Sequence, residues 1–213
     1  MILTESGTCL LKQLKRPINQ WAAVWRKSGL KLIENKETDL LWLIVHREIK
    51  VWYALKTWGY KLKSDKCALC SQVETIEHCF LFSPRVRAVW NCFMPYLSCL
   101  STSPFSVNSS CIFFPFSSCA SSPSFSLYCY LIARILFWIW QTRNLATFRN
   151  SVLNVNQIVN LIKKDISCRI LCAKQDKKEN FWSTNNVLCE FSDANSISFF
   201  PYCTWAFIVY SRF

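Results

Sequence analysis

Phe125–Phe148 reads FSLYCYLIARILFWIWQTRNLATF, and the fold turns on whether this run is a membrane span or a buried helix. It is apolar on nearly every side, a pattern that belongs to a helix surrounded by other protein or by lipid. Its most continuous part, Leu127 to Trp140, falls short of the roughly 20 apolar residues a crossing helix needs, and Arg134 stands in its middle. The tail from Phe199 to Tyr210 is shorter still and contains Pro201. The run therefore predicts a buried helix whose basic end, at Arg143 and Arg149, suits a helix C-terminus. No membrane partner is expected. A second helix is predicted from Val155 to Cys172, because Ile158, Ile162, Ile166 and Ile170 recur on one face while Lys163, Lys164 and Arg169 lie away from it. The two should pack together as a helical subdomain over 125–178.

Working outward, the composition favours the same architecture. With 52% hydrophobic residues, 213 residues can enclose a real core. Only three glycines occur, Gly7, Gly29 and Gly59, too few for the tight turns of an all-β fold. The expected class is mainly α: a helical domain with a small Cys/His zinc-finger-like turn, then a Ser/Pro-rich linker and the helical pair. Residues 1–36 read as a weakly organised helical lead-in, with Trp21, Val24 and Trp25 on one side and Arg26, Lys27 and Lys31 near its end. From Thr38 to Trp58 the recurrence of Trp42, Val45, Ile49, Trp52 and Leu55 predicts one amphipathic helix, capped by Thr38, stopped at Gly59 and packing its aromatic face into the core. His46, Arg47 and Lys50 fall on the opposite strip. Val86, Val89, Trp90 and Phe93 predict a short helix ending near Pro95, the last element of a domain spanning 38–100. Serines and four prolines between Pro95 and Pro123 mark 101–124 as a linker. Residues 179–213 carry no assignable pattern, and no internal repeat is visible.

Lys and Arg exceed Asp and Glu by 25 − 13 = 12, so the surface should attract polyanions, with RNA or DNA the first partner to consider. Thirteen cysteines occur, and the opening MILTESGTCLLKQLKR has no apolar stretch of signal-peptide length. Free or metal-bound thiols in a reducing compartment are expected. Cys67 and Cys70, spaced so that both thiolates reach one ion, form half of a structural metal site. His78, one of two histidines, follows where a short helix starting near Glu74 and Thr75 could present it. Glu74 and Glu77 read as acidic residues suited to that helix's N-terminus. Lys61, Lys63 and Lys66 lead into the cysteines and, with Arg47 and Lys50, are the candidate phosphate contacts. No paired aspartates of the two-metal kind and no oriented nucleophile are found, so no catalytic residue is expected.

The run Cys67-Ala-Leu-Cys70, then Glu74-Thr75, His78, Phe80, Pro84 and Val89-Trp90, resembles the zinc-binding domain downstream of the reverse transcriptase in non-LTR, LINE-type retrotransposons. The Trp-rich stretch WLIVHREIKVWYALKTWGY resembles that family's upstream helix, and Ile139-Trp140, Arg143-Asn144 and Phe148 resemble a stretch that trails it. The detailed likeness spans about 38 to 95, with a looser one to about 172. It implies a zinc cofactor held by Cys67, Cys70 and His78, a nucleic-acid-binding role without catalysis, and origin as a fragment of a retrotransposon polyprotein lacking the polymerase. One departure stands out. Ser83 occupies the position of the family's fourth ligand, which leaves Cys79, adjacent to His78, or the more distant Cys92 as substitutes. A structural or protein-interaction helical domain, or a decayed copy, are the alternatives that this departure and the high apolar content keep open.

Overall fold

The computed structural model describes residues 33–100, 106–108 and 123–175, and among them the protein is helical, with one isolated antiparallel bridge between Lys66 and Val73. Among the described residues five α-helices are present: α1 (Asn35–Val45), α2 (Trp52–Thr57), α3 (Pro84–Leu100), α4 (Pro123–Arg149) and α5 (Val155–Gln175). A five-residue π-helical turn, His78–Phe82, precedes α3. The long apolar helix α4 is the hub, contacting α1, α3, α5 and the π-turn. No helix among the described residues is long and apolar enough to cross a membrane.

The helical pair forms as its periodicity predicts. Ile158, Ile162 and Ile166 are buried against α4, while the side chain of Ile170 lies outside the described ones. Asn150, left-handed at φ 50°, ends α4. Asn154 and Gln157 then start α5 with reciprocal bonds: each accepts the other's backbone N–H, at 2.9 and 2.8 Å.

The expected single helix over Thr38–Trp58 is instead two. The buried stripe of α1 is Glu37, Leu40, Leu41 and Ile44, whereas Trp42 is 49% exposed. Arg47 adopts φ 58°, and the Glu48 N–H donates back to the Leu43 carbonyl at 2.8 Å, closing α1. Ile49 and Val51 then bury fully from an extended segment before α2 begins. Two β-branched residues two apart share one side of an extended segment, whereas on a helix they would point about 200° apart. Burying both, at roughly 2 kcal/mol each, offsets the cost of a left-handed arginine. Thr38 is not the cap: Glu34 takes that position, and the Glu37 carboxylate accepts its N–H at 3.0 Å. Gly59 does stop α2, at φ 89°.

Helix α3 also departs from its expected end. Pro95 lies inside it, and the helix runs on so that Leu97 and Leu100 join Val86, Val89, Trp90 and Phe93 in the core. The proline removes the N–H that would reach the Asn91 carbonyl, but both residues are exposed to solvent, where that carbonyl is not left in an apolar core. Trp90 is fully buried and donates its indole N–H to the Phe80 carbonyl at 2.8 Å, tying α3 to the π-turn. The predicted 101–124 linker, apart from 106–108, and the tail 179–213 fall outside the described residues.

Arg134, the charge inside the apolar run, is buried in α4 and meets three carboxylates. Its Nε lies 2.8 Å from Glu37 Oε1, an ion pair without hydrogen-bond alignment, and its Nη atoms reach Glu34 and Asp165 at 3.3 and 3.2 Å. Burial, only partly countered by Arg134, holds the Glu37 carboxyl at about 6.

Candidate metal centre

Cys67 and Cys70 sit on a tight turn built from backbone bonds. The Cys67 N–H donates to the Gln72 carbonyl at 2.7 Å and the Ser71 N–H to the Cys67 carbonyl at 3.0 Å. Ser71, at φ 60°, is the left-handed residue that lets the chain reverse. The Leu69 N–H points at Cys67 Sγ, 3.5 Å away. On the other side, Thr75 caps the next segment by accepting the His78 N–H on its hydroxyl at 3.0 Å, and this aims the imidazole at the turn. Cys70 Sγ lies 3.2 Å from His78 Nε2, and the ligand atoms of Cys67, Cys70 and His78 all lie within 4.8 Å of one another.

That spacing suits one tetrahedral ion, whose sulfur and nitrogen ligands stand about 3.5–3.8 Å apart given ordinary zinc bond lengths. Burial lowers the His78 pKa, which favours the neutral ring that ligates metal. Burial raises the Cys67 thiol, so its thiolate needs a nearby cation, such as a metal ion, for compensation. None of Cys67, Cys70, Cys79, Cys92 and Cys99 is in a disulfide.

The π-turn explains where the fourth position stands. Its i→i+5 bond, Ser83 N–H to the His78 carbonyl at 2.9 Å, brings residue 83 round one full turn from residue 78. An α-turn would carry it well past that side. Ser83 is buried, and its Oγ has no hydrogen-bond partner among the described residues. It lines a cavity of about 20 Å³ together with Cys67, Cys79 and Glu74, room for about one water. Ser83 thus lies one π-turn on from His78 and shares a cavity with Cys67. Cys79 lies outside the ligand cluster; it is buried against the core, where desolvation pushes its thiol far up. Cys92 is exposed on α3.

Glu74 has a larger role than a helix N-terminal charge. It is buried and takes two bonds from Arg143 of α4, Nε to Oε1 at 3.1 Å and Nη2 to Oε2 at 2.5 Å. It also accepts the Trp52 N–H that opens α2, at 3.1 Å. The guanidinium of Arg143 is walled by Trp52, Trp140 and Phe148, with ring centroids 5.0–5.8 Å away. One carboxylate thus joins the finger, α2 and α4. Glu77 likewise leaves its expected role by pairing with Arg47 at 2.6 Å.

Of the candidate phosphate contacts, Arg47 is engaged with Glu77, while Lys50, Lys61, Lys63 and Lys66 are exposed and make no ion pair among the described residues. Lys56, not singled out from sequence, pairs with Asp65 at 2.7 Å.

Residues 6–90 match the family model described as zinc-binding in reverse transcriptase, a match that supports a domain of that kind over this stretch. No curated protein and no solved structure matches the chain. The matched stretch holds Cys67, Cys70 and His78, while Arg143, which anchors it, lies beyond.

Proposed function

We propose that this chain is a zinc-stabilised, non-catalytic nucleic-acid-binding module that works beside a LINE-type reverse transcriptase and does not itself contain the polymerase. The observation that carries this reading is the placement of Lys61, Lys63 and Lys66, exposed and without ion pairs among the described residues, on the segment that enters the Cys67–Cys70 turn. Two thiols and an imidazole are the donor set of structural zinc, and zinc bound there would neutralise the thiolates and fix the lysines against the finger. Lys50 adds charge on the adjoining α2 side. The lysines would contact phosphates, which gives affinity and register without reading sequence.

The test is a salt titration of the zinc-loaded chain on RNA and on duplex DNA. Four or so phosphate contacts predict log K falling with log salt at a slope of about −3 to −4 on duplex DNA. Substituting Lys61, Lys63 and Lys66 by Gln should lower that slope by roughly 3. Affinity that ignores salt, or a triple variant that binds as the parent does, would contradict the reading.

A further inference from the structure

The surface leading into the metal turn carries large aromatic side chains in water. Tyr53 is 47% exposed, Trp58 43% and Tyr60 60%. Isolated exposed aromatics are ordinary, but these three lie within eight residues and on a backbone that is pinned. The Trp58 N–H donates to the Ala54 carbonyl, Gly59 to Lys56 and Tyr60 to Leu55, each at 3.0–3.1 Å, so the chain folds back over the end of α2. Gly59 holds the reversal at φ 89°, and nothing lies within 4 Å of where a Cβ would stand.

Charge fits the same surface. From Ile49 to Val73 five lysines occur and one acid, Asp65. That acid is held ionised first by the hydrogen bond from Lys56 and also by the charge of Lys66, so the segment keeps a clear positive excess, with Lys50, Lys61, Lys63 and Lys66 in no ion pair among the described residues. Exposed rings followed along the chain by a run of cations are what a flexible polyanion with bare π-faces would require. Duplex DNA or RNA offers phosphates but keeps its bases stacked inside.

We propose that Tyr53, Trp58 and Tyr60 form a stacking platform for the unpaired bases of single-stranded nucleic acid, with Lys61, Lys63 and Lys66 tracking its backbone. The inference rests on the nucleic-acid reading above and narrows it to strand state. Trp52, the neighbouring aromatic, takes no part, since it is engaged under Arg143 and against Phe148.

The experiment measures fluorescence anisotropy of a labelled 12-nucleotide oligouridine, the matching oligodeoxythymidine and a blunt duplex of equal length. The proteins are the zinc-loaded full chain and its Trp58→Ala/Tyr60→Ala variant. Both side chains are exposed, so zinc content and helical circular dichroism should be unchanged and serve as the folding control. Single-strand affinity should fall at least about tenfold with the salt slope intact, because stacking is worth roughly 1–3 kcal/mol per base. Duplex affinity should stay within about twofold. Single-strand binding equal to the parent's would overturn the platform while leaving the lysine reading in place; absence of binding to all three probes would overturn both. Equal affinity with lost self-association in sedimentation would assign the surface to protein contact and also overturn the platform.

Discussion

The metal corner and the helical core of this molecule are held together by different physics. The core is rich in apolar mass: α4 lies against α1, α3, α5 and the π-turn, with Trp90, Phe80, Phe93 and Tyr130 all but fully buried. The corner has little apolar mass. Between Cys67 and Val73 only Cys67 is buried, and the turn is kept by three ligand atoms, a few backbone bonds and a left-handed serine. Glu74 and Arg143 form the seam between the two. The core should therefore fold without metal, whereas the corner should need both the seam and an ion to hold one shape.

The harshest way to break this comparison is from the core side. Trp90→Ala removes a fully buried ring and strands the Phe80 carbonyl that its indole satisfies, so a loss of about 5 kcal/mol is expected. Urea melts followed by circular dichroism should show core and corner failing together, since the π-turn that carries His78 is part of that core.

Cutting the seam should cost less. Arg143→Met leaves Glu74 buried without its cation, a loss of roughly 3–4 kcal/mol. The double variant Arg143→Met/Glu74→Gln should recover part of it, because the uncompensated charge is then gone. A single variant as stable as the parent would show that the corner is held by the metal site alone.

A smaller effect sharpens the contrast between two buried arginines. Arg143 serves one carboxylate, while Arg134 is shared by Glu34, Glu37 and Asp165. Three acids on one guanidinium leave the most deeply buried, Glu37, with its pKa raised from 4.5 to about 6. A carboxyl raised on folding binds more protons in the folded state between those two values. Its contribution to stability is thus fully present below 4.5 and is lost as pH rises through about 6. Stability should fall by on the order of 2 kcal/mol across that window from this group, and Glu37→Gln should flatten that part of the curve. Parallel curves for parent and variant would contradict the assignment.

The same division describes what the sequence could tell. Cys67, Cys70 and His78 were legible because ligand spacing is local, and their meeting within 4.8 Å needs only a turn and a cap. The pairing of α4 and α5 was legible through an isoleucine period. The break after α1 was not, since Ile49 falls on the three-and-four spacing that runs from Trp42 to Leu55, and Arg47 carries no glycine-like signal for a positive φ. The continuation of α3 past Pro95 depends on burying Leu97 and Leu100, which local rules do not weigh. Nor could any spacing rule join Glu74 to Arg143, 69 residues away, although both belonged to the stretches that carried the family likeness. Ser83 was legible as a missing thiol; that its backbone still completes the π-turn from His78 was not.

The central claim is that the corner binds zinc through Cys67, Cys70 and His78 even with serine at position 83. Elemental analysis of the purified chain tests it most directly, beside Cys67→Ser and Ser83→Cys. The account predicts about one zinc per chain in the parent, none in Cys67→Ser, and tighter retention against a chelator in Ser83→Cys, which restores a thiolate at that position. Zinc in Ser83→Cys alone would contradict it and make the parent a finger that has lost its ion.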